Sequence, residues 1–483
     1  MKLKELIKNT AFTSVNGNAD LDIVLATNDS RKVVPGSLFV AVSGCGNDGR
    51  AFIPSAIKAG AVAVVCEGGY EETDGATIVT VENSRYAAAI IADAFYGHPS
   101  RELKLAGITG TNGKTTTVTL LYNLFRKLGY SCGLLSTIAN YVDTQRLETA
   151  NTTSDPFTIN SLMAKMVEAG CEYCFMEVSS IGIEQDRVSG LDFDAGIFSN
   201  LTHDHLDYHG TFAEYLRCKK LFFDRLGSKA TAIINIDDRN GMVMTQNTAA
   251  TVMTYSCRSV ADHSCRIIEQ GFEGMLLKLD GTEVWTRLVG AHNTYNILAI
   301  YCTALALGAD REEVLVALSA LEPAPGRLEN INGPRGINVI IDYAHTPDAM
   351  ENVLRTLRDI APERPLYCLF GCGGDRDRTK RPEMAKIAEN YADRIFVTSD
   401  NSRTERTEDI IAEIMQGLSA AGKAKTICIG DRREAIRSAI MFAPENTTLL
   451  LAGKGHETYQ IIGKEKTHFD EREIVNDVFE TLQ

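Results

Sequence analysis

The chain has 483 residues, 44% hydrophobic and 23% charged, a soluble globular composition and a length that exceeds one core and suits three domains. Its 63 Asp and Glu exceed its 49 Lys and Arg, for a formal net charge of −14, which argues against nucleic acid or an anionic membrane surface as a partner. Met1 to Phe12 is charged and amphipathic without an apolar core of signal-peptide length, and no stretch approaches a membrane span. A cytoplasmic protein with no membrane insertion is expected. The 12 cysteines are scattered, and the one Cys-x-x-Cys, Cys171 to Cys174, has no second pair, so a reduced structural role is expected.

Residues 1 to about 103 alternate short strands with one helical stretch: Leu38 to Val42 and Ala61 to Cys66 read as strands and Ser55 to Ala59 as a helix. From about 104 to 327, strand and helix patterns alternate at the spacing of a parallel sheet, with strands near 103–108, 173–178, 194–199 and 230–236. The first runs into Gly110-Thr111-Asn112-Gly113-Lys114-Thr115-Thr116 and a helix over Thr115 to Leu128. Successive amides and a helix N-terminus there suit phosphate, Lys114 can reach the outer phosphates, and the Thr115 hydroxyl can join a Mg²⁺ shell. The run departs from the strict phosphate-loop pattern, because Ile108 stands where the first glycine belongs and Gly110 must make the turn.

Farther along, Glu177 ends an apolar strand, where the carboxyl ends of parallel strands face a ligand crevice. A carboxylate there is placed for Mg²⁺, and His205, in the run Asn200 to His209, can add a nitrogen ligand less usual for a hard cation. Pro323-Ala324-Pro325-Gly326-Arg327 reads as a linker. Beyond it, Val339 to Ile341, Leu366 to Phe370, Arg394 to Thr398, Thr426 to Ile429 and Thr448 to Leu451 read as strands of a second α/β unit.

Thr109 to Thr116, Glu177-Val178-Ser179-Ser180, Asn200 to His209, Gly290 to Asn296 and Asp342 to Pro347 together resemble the Mur ligases, ATP-dependent enzymes that build the peptidoglycan stem peptide. The match covers essentially the whole chain. Asp29-Ser30-Arg31-x-x-x-Pro35-Gly36, Asn151-Thr152-Thr153, Gly371 to Asp377, Asp400 to Arg403 and Gly453 to Glu457 are similar to the members that add the third residue to UDP-N-acetylmuramoyl-L-alanyl-D-glutamate. The resemblance implies an α/β fold of three domains: an N-terminal α/β UDP-binding domain (1–103), a central parallel-sheet ATPase domain of phosphate-loop type (104–327) and a C-terminal Rossmann-like domain that takes the amino acid (328–483).

In such an enzyme ATP phosphorylates a substrate carboxylate, with Lys114 and Mg²⁺ cancelling the repulsion of two anions, and an amine attacks the acyl phosphate. The resemblance assigns Gly110, Thr111, Asn112, Gly113, Lys114, Thr115, Asn293, Arg327 and Asp342 to ATP. Thr115, Glu177 and His205 go to the metal shells. Lys219 corresponds to a lysine that is carbamylated in the family and so becomes an anionic oxygen ligand; by sequence alone it is a solvated helix lysine snorkelling over apolar neighbours, and Lys220 lies one residue away. Asn28, Ser30, Cys45, Gly46 and Asn47 are implied around UDP, and Asn151, Thr152, Thr153, Ser179, Gln185 and Arg187 around the muramoyl-dipeptide, where Arg187 can clamp a carboxylate bidentately.

For the added amino acid, Arg376, Asp400, Asn401, Ser402, Arg403, Gly453 and Glu457 match the diaminopimelate-adding members. The departures are Ile181, where a histidine commonly stands, and Ser402, where the Asp-Asn-Pro-Arg signature has proline. Arg403 can alternatively be a surface arginine at the start of a helix capped by Ser402. meso-Diaminopimelate is favoured over L-lysine. A folylpolyglutamate or cyanophycin-type ligase, and a nucleotide-binding protein without ligase activity, are the other readings. ATP, the UDP-dipeptide and diaminopimelate are the expected partners, and a monomer is expected.

Overall fold

The computed structural model describes residues 1–44, 48–71, 74–149, 151–202 and 206–482, the last range with no side-chain detail at 206 and 207. The chain packs as two compact units, Met1–Leu201 with Gly210–Tyr255 and Ala299–Val314 in one, and Thr202–His209 with Ser256–Leu298 and Leu315–Gln483 in the other.

The first unit holds two sheets. In the N-terminal one the strands Phe12–Asn16, Thr77–Val81, Ala61–Glu67, Ser37–Val40 and Leu25–Thr27 lie in that spatial order, parallel apart from the first pair. Among the described residues its α-helices are Leu3–Ile7, Ile53–Lys58 and Ser84–Phe95, so the expectation of a single helical stretch there is corrected. Ser84–Phe95 buries Ala87, Ala88, Ala89, Ile91 and Ala92, and its face joins a core that includes Phe157, from the helix Pro156–Glu168.

The second sheet runs Thr251–Ser256, Thr231–Asn235, Ala195–Phe198, Lys104–Thr109, Tyr173–Glu177 and Cys132–Leu135, all parallel, and continues into an antiparallel hairpin of Asn140–Val142 and Gln145–Leu147. Parallel strands covered on both faces read as unbroken apolar runs, as in Tyr173–Glu177, where every residue is buried. From Lys104–Thr109 the chain first builds to one side and then crosses to Ala195–Phe198 on the other, which makes the end of Lys104–Thr109 the point where the strand order reverses.

The second unit contains the sheet Glu329–Asn332, Asn338–Asp342, Thr448–Ala452, Leu366–Phe370, Arg394–Val397 and Thr426–Cys428, parallel beyond its first pair. Apolar clusters cover both of its faces. A three-stranded antiparallel arrangement, His263–Gly271, Gly274–Leu279 and Thr282–Thr286, also belongs to this unit.

Candidate functional site

Gly110 leaves the strand Lys104–Thr109 with φ +155°, and a Cβ on it would fall 1.9 Å from Ser199 Oγ, so glycine is required. The neighbouring strand's end straps the loop down. Thr111 N donates to Asn200 O and Asn112 N to Asn200 Oδ1, both at 2.9 Å. In return, Ser199 Oγ and Asn200 Nδ2 donate to Asn112 O at 2.7 and 3.1 Å. Two amides of the turn are therefore committed to the fold, which corrects the expectation that successive amides throughout it face a ligand. The helix Lys114–Lys127 starts at this turn, and the positive end of its dipole suits an anion there. Lys114 Nζ lies back over the loop, donating to Gly110 O and Thr111 O at 2.8 Å.

Glu177 joins this loop to a second one. Its buried carboxylate accepts from Thr115 Oγ1 at 3.0 Å through Oε2 and from Thr137 N at 2.8 Å through Oε1. Its carbonyl accepts from Thr153 Oγ1 at 2.9 Å, and that hydroxyl accepts from Ser179 N at 3.0 Å. Thr152 accepts from Thr137 Oγ1 at 3.1 Å. Arg187 Nη1 donates to Thr153 O at 2.6 Å, while Nε and Nη2 hold Gln185 Oε1 at 3.1 and 2.7 Å. The guanidinium expected to be an open clamp is thus already engaged, and a carboxylate must share it or displace Gln185. Asn151 is exposed.

Thr115, Glu177, Thr152, Thr153, Ser179, Gln185 and Arg187 therefore meet at the carboxyl end of one strand, while Asn28 belongs to the N-terminal part of the unit. It lines a cavity of about 210 Å³ with Lys32, Tyr96, Asp155 and Thr158, and Ser30 opens the short helix behind it. Cys45, Gly46, Asn47 and His205 lie outside the described residues. The Thr115 hydroxyl and the Glu177 carboxylate are hard oxygen donors of the kind Mg²⁺ takes. Among the described residues no three His, Cys, Asp or Glu side chains cluster as a metal site. Such a pair suits a cation that keeps waters and phosphate oxygens in its remaining positions.

Lys219, on the helix Phe212–Asp224, is 1% exposed, donates to Gly110 O at 2.8 Å and lies 4.6 Å from the centroid of the Tyr215 ring. The solvated lysine expected from sequence alone is corrected: this amine sits under the backbone of the glycine-rich loop. Lys220 pairs instead with Asp224 at 2.6 Å.

In the second unit, Arg327 lies over the Tyr343 ring, 4.9 Å from its centroid, and its buried Nε has no partner. Asp342 accepts from Leu328 N and Ala344 N at 2.7 and 2.8 Å. Burial raises its carboxyl above the ordinary value, with Arg327 and the two amides opposing. The Asn293 amide is spent on Val289 O and Asn296 Nδ2, at 2.8 and 2.9 Å. Beside it, burial pushes His292 down to about 4, with Arg355 and Arg327 adding to the effect, so it is neutral at pH 7.

Two loops of the same unit bring Asp400, Asn401, Ser402, Arg403, Gly453 and Glu457 together, and a third supplies Gly374. Asn401 Nδ2 donates to Glu457 Oε2 at 2.9 Å, and a Cβ on Gly453 would lie 2.8 Å from Asp400 Oδ2. Arg403 adopts φ +49° and donates from Nη1 to Gly374 O at 2.7 Å. Gly374 is fixed by close approach, since a Cβ would fall 1.9 Å from Ser402 O. The next helix runs Thr407–Gln416 with Arg406 at its N-cap, so Ser402 caps nothing and the helix-start reading of Arg403 is corrected. Arg376 is exposed at the rim.

Sequence reasoning missed the brace behind this cluster. Arg381, 0% exposed, donates to Glu405 Oε1 and Oε2 at 2.9 Å, to Glu413 Oε2 at 2.7 Å and to Gly373 O at 3.2 Å. Glu405 in turn accepts from Asp375 N at 2.6 Å. The hydrogen bonds from Arg381 lead in holding Glu405 down to about 2. Ser199 and Thr137 were also missed as site residues, with proximity in the fold their only signal, and Asn200, though it opens the run Asn200 to His209, was given no role of its own.

Residues 22–101 match the Mur ligase family catalytic domain, 108–304 the Mur ligase middle domain, and 326–455 the Mur ligase glutamate ligase domain. The chain belongs to the Mur ligase family. A Cytophaga hutchinsonii protein named UDP-N-acetylmuramoyl-L-alanyl-D-glutamate--2,6-diaminopimelate ligase is 48% identical over the whole of both chains. A Geobacillus kaustophilus protein of the same name is 42% identical over 98% of each. A solved structure of an enzyme with that name matches at TM-score 0.71 and 30% identity, covering 100% of this chain and 99% of the other. MurF from Acinetobacter baumannii, 17% identical with TM-score 0.67 over 99% of this chain and 98% of its own, shares the fold. The architecture is the three-domain α/β arrangement of Mur ligases.

Proposed function

We propose that this chain is the ATP-dependent ligase that joins meso-2,6-diaminopimelate to UDP-N-acetylmuramoyl-L-alanyl-D-glutamate through an acyl phosphate, a step of peptidoglycan precursor synthesis. The observation that carries the reading is Glu177, whose carboxylate accepts from the phosphate-loop Thr115 and whose carbonyl accepts from Thr153. A phosphoryl group at the first site and an acyl carboxylate at the second would be neighbours, as carboxylate activation requires. The whole-chain relatives bearing this activity in their names support the same assignment.

In this reading Lys114 and the first turn of its helix hold the phosphates, Arg327 and Asp342 belong to the nucleotide side, and Arg187 orients the dipeptide. Mur ligases use Mg²⁺; Thr115, Glu177 and His205 would hold it, and when bound it neutralises the developing phosphoryl charge. Carbamylation of Lys219 would replace a buried cation with an anionic oxygen donor beside Gly110. Asn28, Ser30 and the 45–47 loop take UDP, and the division at 103/104 and 327/328 separates sugar-nucleotide, ATP and amino-acid domains. A cytoplasmic monomer fits these soluble substrates.

The amino acid is read by Arg403 and Glu457, which offer a cation to the distal carboxylate and an anion to the ammonium of diaminopimelate. L-Lysine would leave the guanidinium unpaired. Phosphate release is measured with ATP, the UDP-dipeptide and a panel of amino acids. The expected kcat/KM for meso-diaminopimelate exceeds that for L-lysine on the order of a thousandfold. Equal efficiencies would overturn the assignment of the amino acid, and release independent of the UDP-dipeptide would overturn the ligase reading.

A further inference from the structure

Lys454 is 0% exposed, yet it lies among carboxylates instead of solvent. Its Nζ is 3.2 Å from Glu457 Oε2, 3.3 Å from Asn401 Oδ1 and 3.8 Å from Asp400 Oδ1, with the Tyr459 and Phe469 rings at 5.8 and 5.7 Å. The two oxygens of Glu457 are therefore unequal. Oε2 accepts from both Asn401 Nδ2 and Lys454, whereas Oε1 meets the Tyr459 hydroxyl at 3.5 Å, the outer limit of a hydrogen bond.

We propose that Lys454 is a positioning residue for the amine-donating substrate: lodged beside Asp400, it occupies one edge of Glu457 and leaves Oε1 to the ammonium of a bound amino acid. This rests on the assignment of the surrounding loops to the amino acid. Like charges held close together away from water are costly, and the buried Lys454 cation, 3.2 Å from Glu457 and 3.8 Å from Asp400, offsets that cost. Burial raises the Glu457 carboxyl, Lys454 opposes the rise and Asp400 adds to it. Other titratable groups facing the cluster include Tyr343, on which Arg327 acts, Tyr459, with Arg403 acting on it and Lys466 over its ring, and Cys372 beside Asp400.

Lys454→Met removes the charge at nearly constant volume. It is expected to raise KM for meso-diaminopimelate about thirtyfold, with KM for ATP and for the UDP-dipeptide within about threefold of wild type. The acid limb of kcat/KM for the amino acid should move up by about one pH unit, because Glu457 then ionises without its cation. The variant Lys454→Met/Glu457→Gln, which buries no unpaired Glu457 charge, should show a KM no worse than the poorer single variant, and it carries the test if Lys454→Met fails to fold. An unchanged KM and pH limb in Lys454→Met, or losses that multiply in the double variant, overturn the proposal. Should the wild type turn over another amino acid and reject meso-diaminopimelate, only the substrate assignment falls, and the same shifts are expected with the amino acid it accepts.

Discussion

The phosphate loop and the amino-acid cluster are built by opposite means. The loop is one contiguous stretch whose shape is carried by main-chain bonds to Ser199 and Asn200 and by Gly110. The cluster draws on three separated loops, held by side-chain charges buried behind it, Arg381 and Lys454 among them. A site of the first kind fails when a contacting side chain is removed. One of the second kind fails when a remote charge is left without its partner.

The largest effect is expected at the loop itself. Lys114→Ala should lower turnover at least about a thousandfold while UDP-dipeptide binding, followed by titration calorimetry, stays within a few fold, since the lost group acts on the phosphoryl charge. Near wild-type turnover would remove the loop from the reaction. Lys219→Ala should cost about a hundredfold and be partly restored by added acetate if a carbamate supplies the missing oxygens, whereas Lys220→Ala should be mild. The reverse order would move the role to the neighbour.

The contrast is sharpened by Arg381→Met. Removing Arg381 takes both of its hydrogen bonds from Glu405, while Arg378 still holds Glu413, at a cost of about 3 kcal/mol in denaturant unfolding, and raises KM for the amino acid with little change in KM for ATP. The sign with pH follows from Glu405, whose carboxyl is lowered from 4.5 to about 2 chiefly by Arg381. Its contribution is fully present above pH 4.5 and is lost as pH falls toward 2, so wild type and Arg381→Met should converge in stability over that window. A constant gap across it would refute the pairing. The smallest effect belongs to Ser402→Pro. No hydrogen bond from the Ser402 hydroxyl is made, and the change should stabilise by about 0.5 kcal/mol through the unfolded chain, read as a small rise in Tm with kcat unchanged.

The fold was legible in the longer runs buried on both faces, although the four-residue Cys132–Leu135, buried throughout, escaped. Leu366–Phe370 and Thr448–Ala452 are fully buried apolar runs and were read within a residue of their observed ends. Ser84–Phe95 escaped because its inward face is mostly alanine, whose weak hydropathy blurs the helical period. In the antiparallel strands over 263–286, a register shift between Ile267 and Glu269 breaks the alternation that would have marked them. At the site, the contiguous loop announced itself, and Glu177 followed from its place at a strand end. Lys219 needed the resemblance to a family, because nothing local distinguishes a lysine aimed at a backbone carbonyl from one aimed at water. Asn200 and Arg381 act on partners brought near only by tertiary pairing, as Lys454 does toward Asn401 and Asp400.

Glu177 stands at the end of a strand that pairs in parallel with Lys104–Thr109 on one side and Cys132–Leu135 on the other. Parallel neighbours distant along the chain close slowly, after local helices have formed. During refolding, the carboxylate cannot meet Thr115 and Thr137 until both seams have zipped, so recovered phosphate release should trail the return of helical circular dichroism. The central strand thereby makes activity a clock for the last long-range step of assembly.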